Sequence, residues 1–377
     1  MEKLNFKLAV VVGTRPEIIR LSRVLDLANS MVNLVLIHTG QNYDYELNQI
    51  FFDELGVKRP DYFLNADVSS LGSTVGDILK KVEPILKEER PDAFLVLGDT
   101  NSCLSAYIAK RLKIPVFHME AGNRCFDFNV PEETNRRIID HIADFNLVYT
   151  EHARRHLIAE GLPQRRIYLT GSPMKEVLNA YAEKVNQSSI LAELKLTPKN
   201  YFVFSIHREE NVDYPDQLQK IVESIHALSS AYPIPFVFSV HPRTLRRIEA
   251  MELNLPSNVM LLKPFGFFDY IALQKHAKCV ISDSGTISEE SSMLSFPAIS
   301  IRESMERPEA QDVGTIILSG IKKEGVLNAV RMVIEEFERN SHYSEIAPDY
   351  QIDNTSWRVM KLIVGNAALN AKWNNLL

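Results

Sequence analysis

Short apolar runs alternate with longer amphipathic stretches along most of the chain, and this alternation predicts its architecture. Residues 7–13 (KLAVVVG), 33–40 (NLVLIHTG), 91–99 (PDAFLVLGD), 114–119, 145–150 and 166–171 read as buried strands. Helical spacing predicts helices from Thr14 to about Ala28, over 43–55 and 70–89, from about Asn101, from Pro131, and over 151–160. Strands alternating with helices imply βαβ units and a parallel sheet. After Gly171-Ser172-Pro173 the pattern restarts. A polar stretch at 184–199, interrupted by Pro198, reads as interdomain. Residues 201–207, 235–241, 259–264, 279–284 and 297–301 form a second set of strands. Helices follow at 322–339 and 356–369. The expectation is an α/β chain of two doubly wound parallel-sheet domains facing a cleft. The first covers 1–171 and the second 172–354, with a last helix in 355–377 packing back on the first.

A length of 377 residues agrees with two domains at about 150 residues each. Apolar residues make up 45% and charged residues 24%, the balance of an ordinary globular enzyme. The formal charge of −6 argues against a nucleic-acid partner, so an anionic ligand needs a local arginine cluster. No apolar run is long enough to span a bilayer and residues 1–7 do not read as a signal peptide, so a membrane partner is not expected. Three scattered cysteines without a CxxC favour a reducing cytoplasm and argue against a zinc site.

The candidate chemistry collects where strands end. In open α/β sheets ligands sit beyond the carboxyl ends of strands. Asp99 and Glu120 end successive strands of the first set, and two carboxylates in one site can be driven to different proton affinities. Asp99 also reads as a cap for the helix after it. Pro131-Glu132-Glu133 opens a helix that carries Arg136 one turn on. Acids in the first turn are ordinary helix-start chemistry, which is the stronger reading of Glu132 from spacing alone, with a role as acid or base the other. At the first strand–helix turn, Gly13-Thr14-Arg15-Pro16-Glu17, Arg15 and Arg20 either face an anion or are solvated charges.

In the second half, Ser284-Gly285-Thr286 reads as a diphosphate-binding turn at a helix amino end, with Glu290 placed for a ribose diol. Thr286 with Glu289 fits a capping box. Arg302, Glu306, Arg307 and Glu309 follow the next strand. His207, with Arg208 beside it, and His241 both end strands. No HExxH and no third ligand accompany them, so no metal is expected. His207 reads as a hydrogen-bonding group for phosphate and His241 as structural. GxGxxG and Walker A spacings are missing, so no dinucleotide cofactor is expected.

These residues resemble the non-hydrolysing UDP-N-acetylglucosamine 2-epimerases. The matching blocks are GTRPE at 13–17, GDT at 98–100, HMEAG at 118–122, PEETNRR at 131–137, HREEN at 207–211, DSGTISEE at 283–290 and ERPEA at 306–310. They fall in the family's order and cover nearly the whole chain. The resemblance implies a GT-B type fold with two Rossmann-like domains. It also implies a cofactor-free C2 epimerisation that eliminates UDP to a 2-acetamidoglycal and adds it back. Asp99, Glu120 and Glu132 match the acid/base carboxylates, and His207 joins them as a candidate catalytic residue. Arg15, Arg136, Ser284, Glu290 and Arg307 match nucleotide and phosphate contacts, with Arg20, Arg208, Gly285 and Thr286 beside them. A homodimer is implied as well.

Four departures stand out. Arg20 replaces the family's usual Lys, Thr286 replaces the second glycine of DSGG, Asn42–Tyr45 replaces HREM, and residues 123–127 (NRCFD) replace LR(T/S). They resemble the branch that converts UDP-2-acetamido-2,6-dideoxy-L-talose to UDP-N-acetyl-L-fucosamine for capsule or O-antigen synthesis. The other readings are a UDP-GlcNAc/UDP-ManNAc epimerase, a GT-B glycosyltransferase, and a non-catalytic UDP-sugar sensor.

Overall fold

A computed structural model of the chain describes residues 2–41, 52–343 and 345–373. The Asn42–Tyr45 segment lies outside the described residues, as does the helix expected over 43–55 except for its last turn. Compact units divide the chain in two: one holds residues 1–124, 131–179 and 352–377, the other 125–130 and 180–351.

The strands of the first unit are β1 (Lys7–Val12), β2 (Asn33–His38), β3 (Tyr62–Phe63), β4 (Ala93–Leu97), β5 (Val116–Ala121), β6 (Phe145–Val148) and β7 (Ile167–Leu169). They form one parallel sheet in the order β3-β2-β1-β4-β5-β6-β7. Leu8–Val12 and Ala93–Leu97 are buried on both faces, which is why these strands are continuous apolar runs rather than alternating ones. The helix Arg15–Met31 buries Ile18, Leu21, Val24, Leu25 and Ala28, a stripe at helical spacing. The helix Thr355–Trp373 belongs to this unit and packs on the helix Arg15–Met31. Its Val359, Met360, Ile363 and Ala367 are buried, and Thr355 Oγ1 donates to the Thr170 carbonyl at 3.0 Å.

The second unit repeats the plan with β8 (Phe202–Ser205), β9 (Phe236–Ser239), β10 (Val259–Leu262), β11 (Cys279–Ser282), β12 (Ala298–Ser300) and β13 (Ile317–Leu318). The parallel order is β10-β9-β8-β11-β12-β13. One core cluster runs from Phe202 and Phe204 through Phe236 and Phe238 to Val330 and Ile334 of the helix Lys323–Asn340.

Both sheets reverse their order of addition once, between β1 and β4 and between β8 and β11, and such a switch point opens a crevice at the carboxyl ends of its strands. Two features differ from the sequence expectation. The helix expected from Asn101 begins as a 3₁₀ turn, Asn101–Ser105, before Ala106–Arg111. The stretch at 184–199 is not irregular throughout: the helix Ala182–Asn186 reaches into it, and Ile190–Glu193 forms a further turn.

Candidate functional site

At the first switch point β1, β4 and β5 lie side by side, so Gly13, Gly98-Asp99 and Glu120 emerge together. Glu17, fully buried, ties two of these ends. It accepts from the Gly13 and Thr14 N–H groups at 2.5 and 2.7 Å, from Thr100 Oγ1 at 2.8 Å, and from Ser102 Oγ. Burial pushes its carboxyl up, and those four donors pull partly the other way.

Asp99 does not cap the following turn with its carboxylate. That carboxylate takes Arg136 Nε at 2.7 Å, and Asn135 Nδ2 donates to the Asp99 carbonyl at 2.9 Å. Both partners sit on the helix Pro131–Ile142, whose Glu133, Arg136 and Asp140 are buried. Glu132 is half-buried in the first turn of this helix. Arg15 is half-buried at the start of the helix after β1.

Glu120 is the most constrained of the carboxylates. Its φ is +65°, the left-handed region, at a register shift between Met119 and Ala121 in the pairing of β5 with β6. A non-glycine residue there costs of order 1–3 kcal/mol and persists only where its surroundings enforce it. Arg20 Nη1 donates to Oε2 and Asn123 Nδ2 to Oε1, the latter at 3.3 Å. Arg20 and Glu120 are each 9% exposed, so this is a buried ion pair. Losing one partner of such a pair costs about 3–5 kcal/mol.

In the second unit Asp283 organises the turn after β8. It accepts from the His207 N–H at 3.1 Å, the Arg208 N–H at 2.9 Å and Asn211 Nδ2 at 3.1 Å. His207 Nδ1 lies 3.0 Å from Asp283 Oδ1, leaving Nε2 on a side chain that is 48% exposed. Arg208 Nε donates to the Asp283 carbonyl at 3.0 Å.

The Ser284–Thr286 turn closes on itself: Ser284 Oγ and Thr286 Oγ1 are 2.9 Å apart, and the Thr286 N–H donates to Ser284 Oγ at 3.3 Å. The expected capping box is not formed. Thr286 is the N-cap residue of Ile287–Leu294 but has a helical backbone and no side-chain cap bond, because its hydroxyl is used by Ser284. A Cβ on Gly285 would stand 2.5 Å from Glu306 Oε1, so a side chain there would displace the Glu306 carboxylate. Arg307 is fully buried, and its Nε donates to the Gly285 carbonyl at 2.9 Å, bracing the turn from behind. Glu290 Oε2 accepts from Gln274 Nε2 at 2.8 Å. His241 serves as a helix cap, its Nδ1 accepting from the Arg243 N–H at 3.2 Å.

Sequence reasoning did not single out Glu17, His118, Asn123, Asp140 or Asp283 as functional. The signal for Asp140 was available: Glu133, Arg136, Arg137 and Asp140 share one helical face, and a charged face that must be buried is a site rather than a solvated surface.

The fold has counterparts among known proteins. The family profile described as UDP-N-acetylglucosamine 2-epimerase matches residues 26–364. A UDP-N-acetylglucosamine 2-epimerase of Methanocaldococcus jannaschii is 37% identical over 339 residues, covering 88% of this chain and 93% of that protein. The structure of the UDP-N-acetylglucosamine 2-epimerase from Rickettsia bellii superposes with a TM-score of 0.90 at 45% identity, covering 98% of this chain and 99% of the other. That of the M. jannaschii UDP-GlcNAc 2-epimerase in complex with UDP-GlcNAc and UDP gives 0.89 at 33% identity, covering 95% and 99%. The α/β architecture is GT-B-like, as the motifs implied. The chain therefore belongs to the UDP-N-acetylglucosamine 2-epimerase family and is an isomerase.

Proposed function

We propose that the protein inverts C2 of a UDP-linked 2-acetamido sugar by elimination and re-addition. The C2 proton is removed and the C1–O bond to UDP breaks, leaving a 2-acetamidoglycal. UDP then adds back to C1 while C2 is reprotonated on the opposite face. The observation that carries this reading is the pair Asp99 and Glu120 on adjacent strand ends, each with its own arginine, Arg136 at 2.7 Å and Arg20. Inversion needs one group to take a proton and another to return one, and two carboxylates with separate cationic partners suit those roles. Glu132, on the helix that fixes Asp99, is the third acid. His207, backed by Asp283, suits a hydrogen bond to the departing diphosphate, with Arg15, Arg208, Ser284, Gly285 and Thr286 as further phosphate contacts. Glu290 suits the ribose diol, and Arg307 supports the turn.

The substrate we favour is UDP-2-acetamido-2,6-dideoxy-L-talose, giving UDP-N-acetyl-L-fucosamine. The reshaped 123–127 segment supports it, since Asn123 reaches Glu120 itself. A 6-deoxy L-sugar presents a methyl group and an inverted C5, which calls for a different wall. UDP-GlcNAc/UDP-ManNAc is the second reading, supported by the names of the relatives. From the resemblance, the proposal extends to a cytoplasmic homodimer that supplies capsule or O-antigen synthesis.

NMR in D₂O with each UDP-sugar tests this. Deuterium entering C2 of the L-sugar alone establishes the favoured substrate, and exchange with UDP-GlcNAc alone moves it to the second reading. Exchange with neither overturns the elimination. Glu120→Gln is expected to lower turnover about 10²–10⁴-fold with UDP affinity nearly intact.

A further inference from the structure

Three residues flanking Glu120, His118 and Arg124 by their side chains and Gly122 by its N–H, converge on one carboxylate, that of Asp140, which is fully buried on the helix Pro131–Ile142. Two residues before Glu120, His118 Nδ1 meets Asp140 Oδ1 at 2.9 Å. Two residues after it, the Gly122 N–H donates to both oxygens, at 3.2 and 3.1 Å. Arg124 Nη1 donates to Oδ2 at 2.7 Å, and the same guanidinium is held by Glu160 through Nε and Nη2, both at 2.8 Å. The Arg124 side chain has no solvent exposure. The other ring nitrogen of His118 donates to the Gly98 carbonyl at 2.9 Å, in the turn that presents Asp99.

We infer that Asp140 is a positioning residue for the epimerase reaction. It clamps the strained Glu120 backbone from both sides and, through His118, holds the Gly98-Asp99 turn against the same anchor. The spacing of the two carboxylates is thereby set by one rigid helix rather than by two independent loops. This inference rests on the proposed roles of Asp99 and Glu120. The logic is local: a left-handed glutamate survives only if its neighbours are tied down, and here the residues two before and two after it are tied to one carboxylate. Misplacing a reacting group by about 1 Å costs about 10²-fold in rate, so losing the anchor is read in kcat.

The experiment compares Asp140→Asn, His118→Gln and His118→Asn by kinetics and by crystal structure. A glutamine at 118 reaches the Gly98 carbonyl but forfeits the donor to Asp140, whereas an asparagine keeps the donor to Asp140 and forfeits Gly98. We expect Asp140→Asn and His118→Gln to lose about 10²-fold in kcat with KM little changed, and Glu120 to leave its left-handed conformation. His118→Asn frees the Gly98-Asp99 turn while keeping the Asp140 contact, so it is expected to lose kcat as well but to keep Glu120 in its left-handed conformation. A Glu120 that keeps its left-handed conformation in His118→Gln, or leaves it in His118→Asn, overturns the proposal. So does a folded Asp140→Asn protein with wild-type kcat and Glu120 still at positive φ. If Asp140→Asn does not fold, the His118 pair decides alone. A wild-type protein inert toward both UDP-sugars overturns the elimination proposal only, and the Glu120 backbone in the variant crystals still decides this one.

Discussion

Burial drives the Asp283 carboxyl toward protonation, yet His207 and the Arg208 N–H and charge pull it further the other way, to about 2. Its ordinary value is 3.8, so the folded state holds the proton less tightly than the unfolded chain. The stability this contributes is fully present above pH 4 and is lost as pH falls through the window between about 4 and 2. Its size is about 2 kcal/mol. Urea titrations at pH 5 and pH 3 are expected to show Asp283→Asn losing less stability over that interval than wild type. Parallel losses would mean that Asp283 is ionised no more readily in the fold than out of it. At this scale the sequence is half legible. Asp99 and Glu120 are visible as acids at the ends of apolar runs, because a strand's end is set by where the run stops, whereas Asp283 is not singled out. Their partners are not visible, because Arg20 is 100 residues from Glu120 and Arg136 is 37 from Asp99. Only the strand order brings them together.

β5 carries Glu120 near its end, and in the turn that follows Gly122 is the tightest point. Its φ is +80°, and a Cβ there would stand 2.3 Å from the Ala153 carbonyl oxygen on the helix Glu151–Ala159. Gly122→Ala is expected to cost about 2 kcal/mol or more, from the left-handed backbone and the clash with a main-chain atom. Gly76 provides the contrast: it lies on the exposed face of the helix Leu71–Glu89 with nothing within 4 Å of its Cβ position. Gly76→Ala should stabilise by about 0.5–1 kcal/mol. Urea midpoints at unchanged slope check both. The main strands are legible at this scale because burial on both faces leaves an uninterrupted apolar run. The two-residue edge strands β3 and β13 are not, since two residues carry no period. The capping box at Thr286 failed for a related reason: spacing cannot tell whether a hydroxyl serves the helix or a neighbouring serine.

At the scale of the whole molecule, the first unit is assembled from distant parts of the chain. The helix Thr355–Trp373 supplies Val359 and Ile363, both with no exposed surface, to a unit whose other residues end at Asn179. Burying aliphatic side chains of this size contributes about 1.5–3 kcal/mol each. Ser356 adds a link from its N–H to Glu176 at 2.8 Å. Truncation before Ile352 is therefore expected to abolish cooperative unfolding of the first unit, followed by circular dichroism and limited proteolysis. A truncated chain that retains a protected 1–179 fragment would contradict this.

That same helix bears on how the protein is born. Translation runs at about 5–20 residues per second, so the interval between the emergence of Asn179 and Ile352 is roughly 10–35 s. Throughout it the nascent first sheet lacks its closing helix, while nearly all of the second unit, one continuous segment but for residues 125–130, is delivered in a single pass. The usual order in which an amino-terminal domain settles first is reversed. The half that carries Asp99 and Glu120 is thus completed after the half that carries Asp283, and until then the surface that Val359 and Ile363 cover stays open.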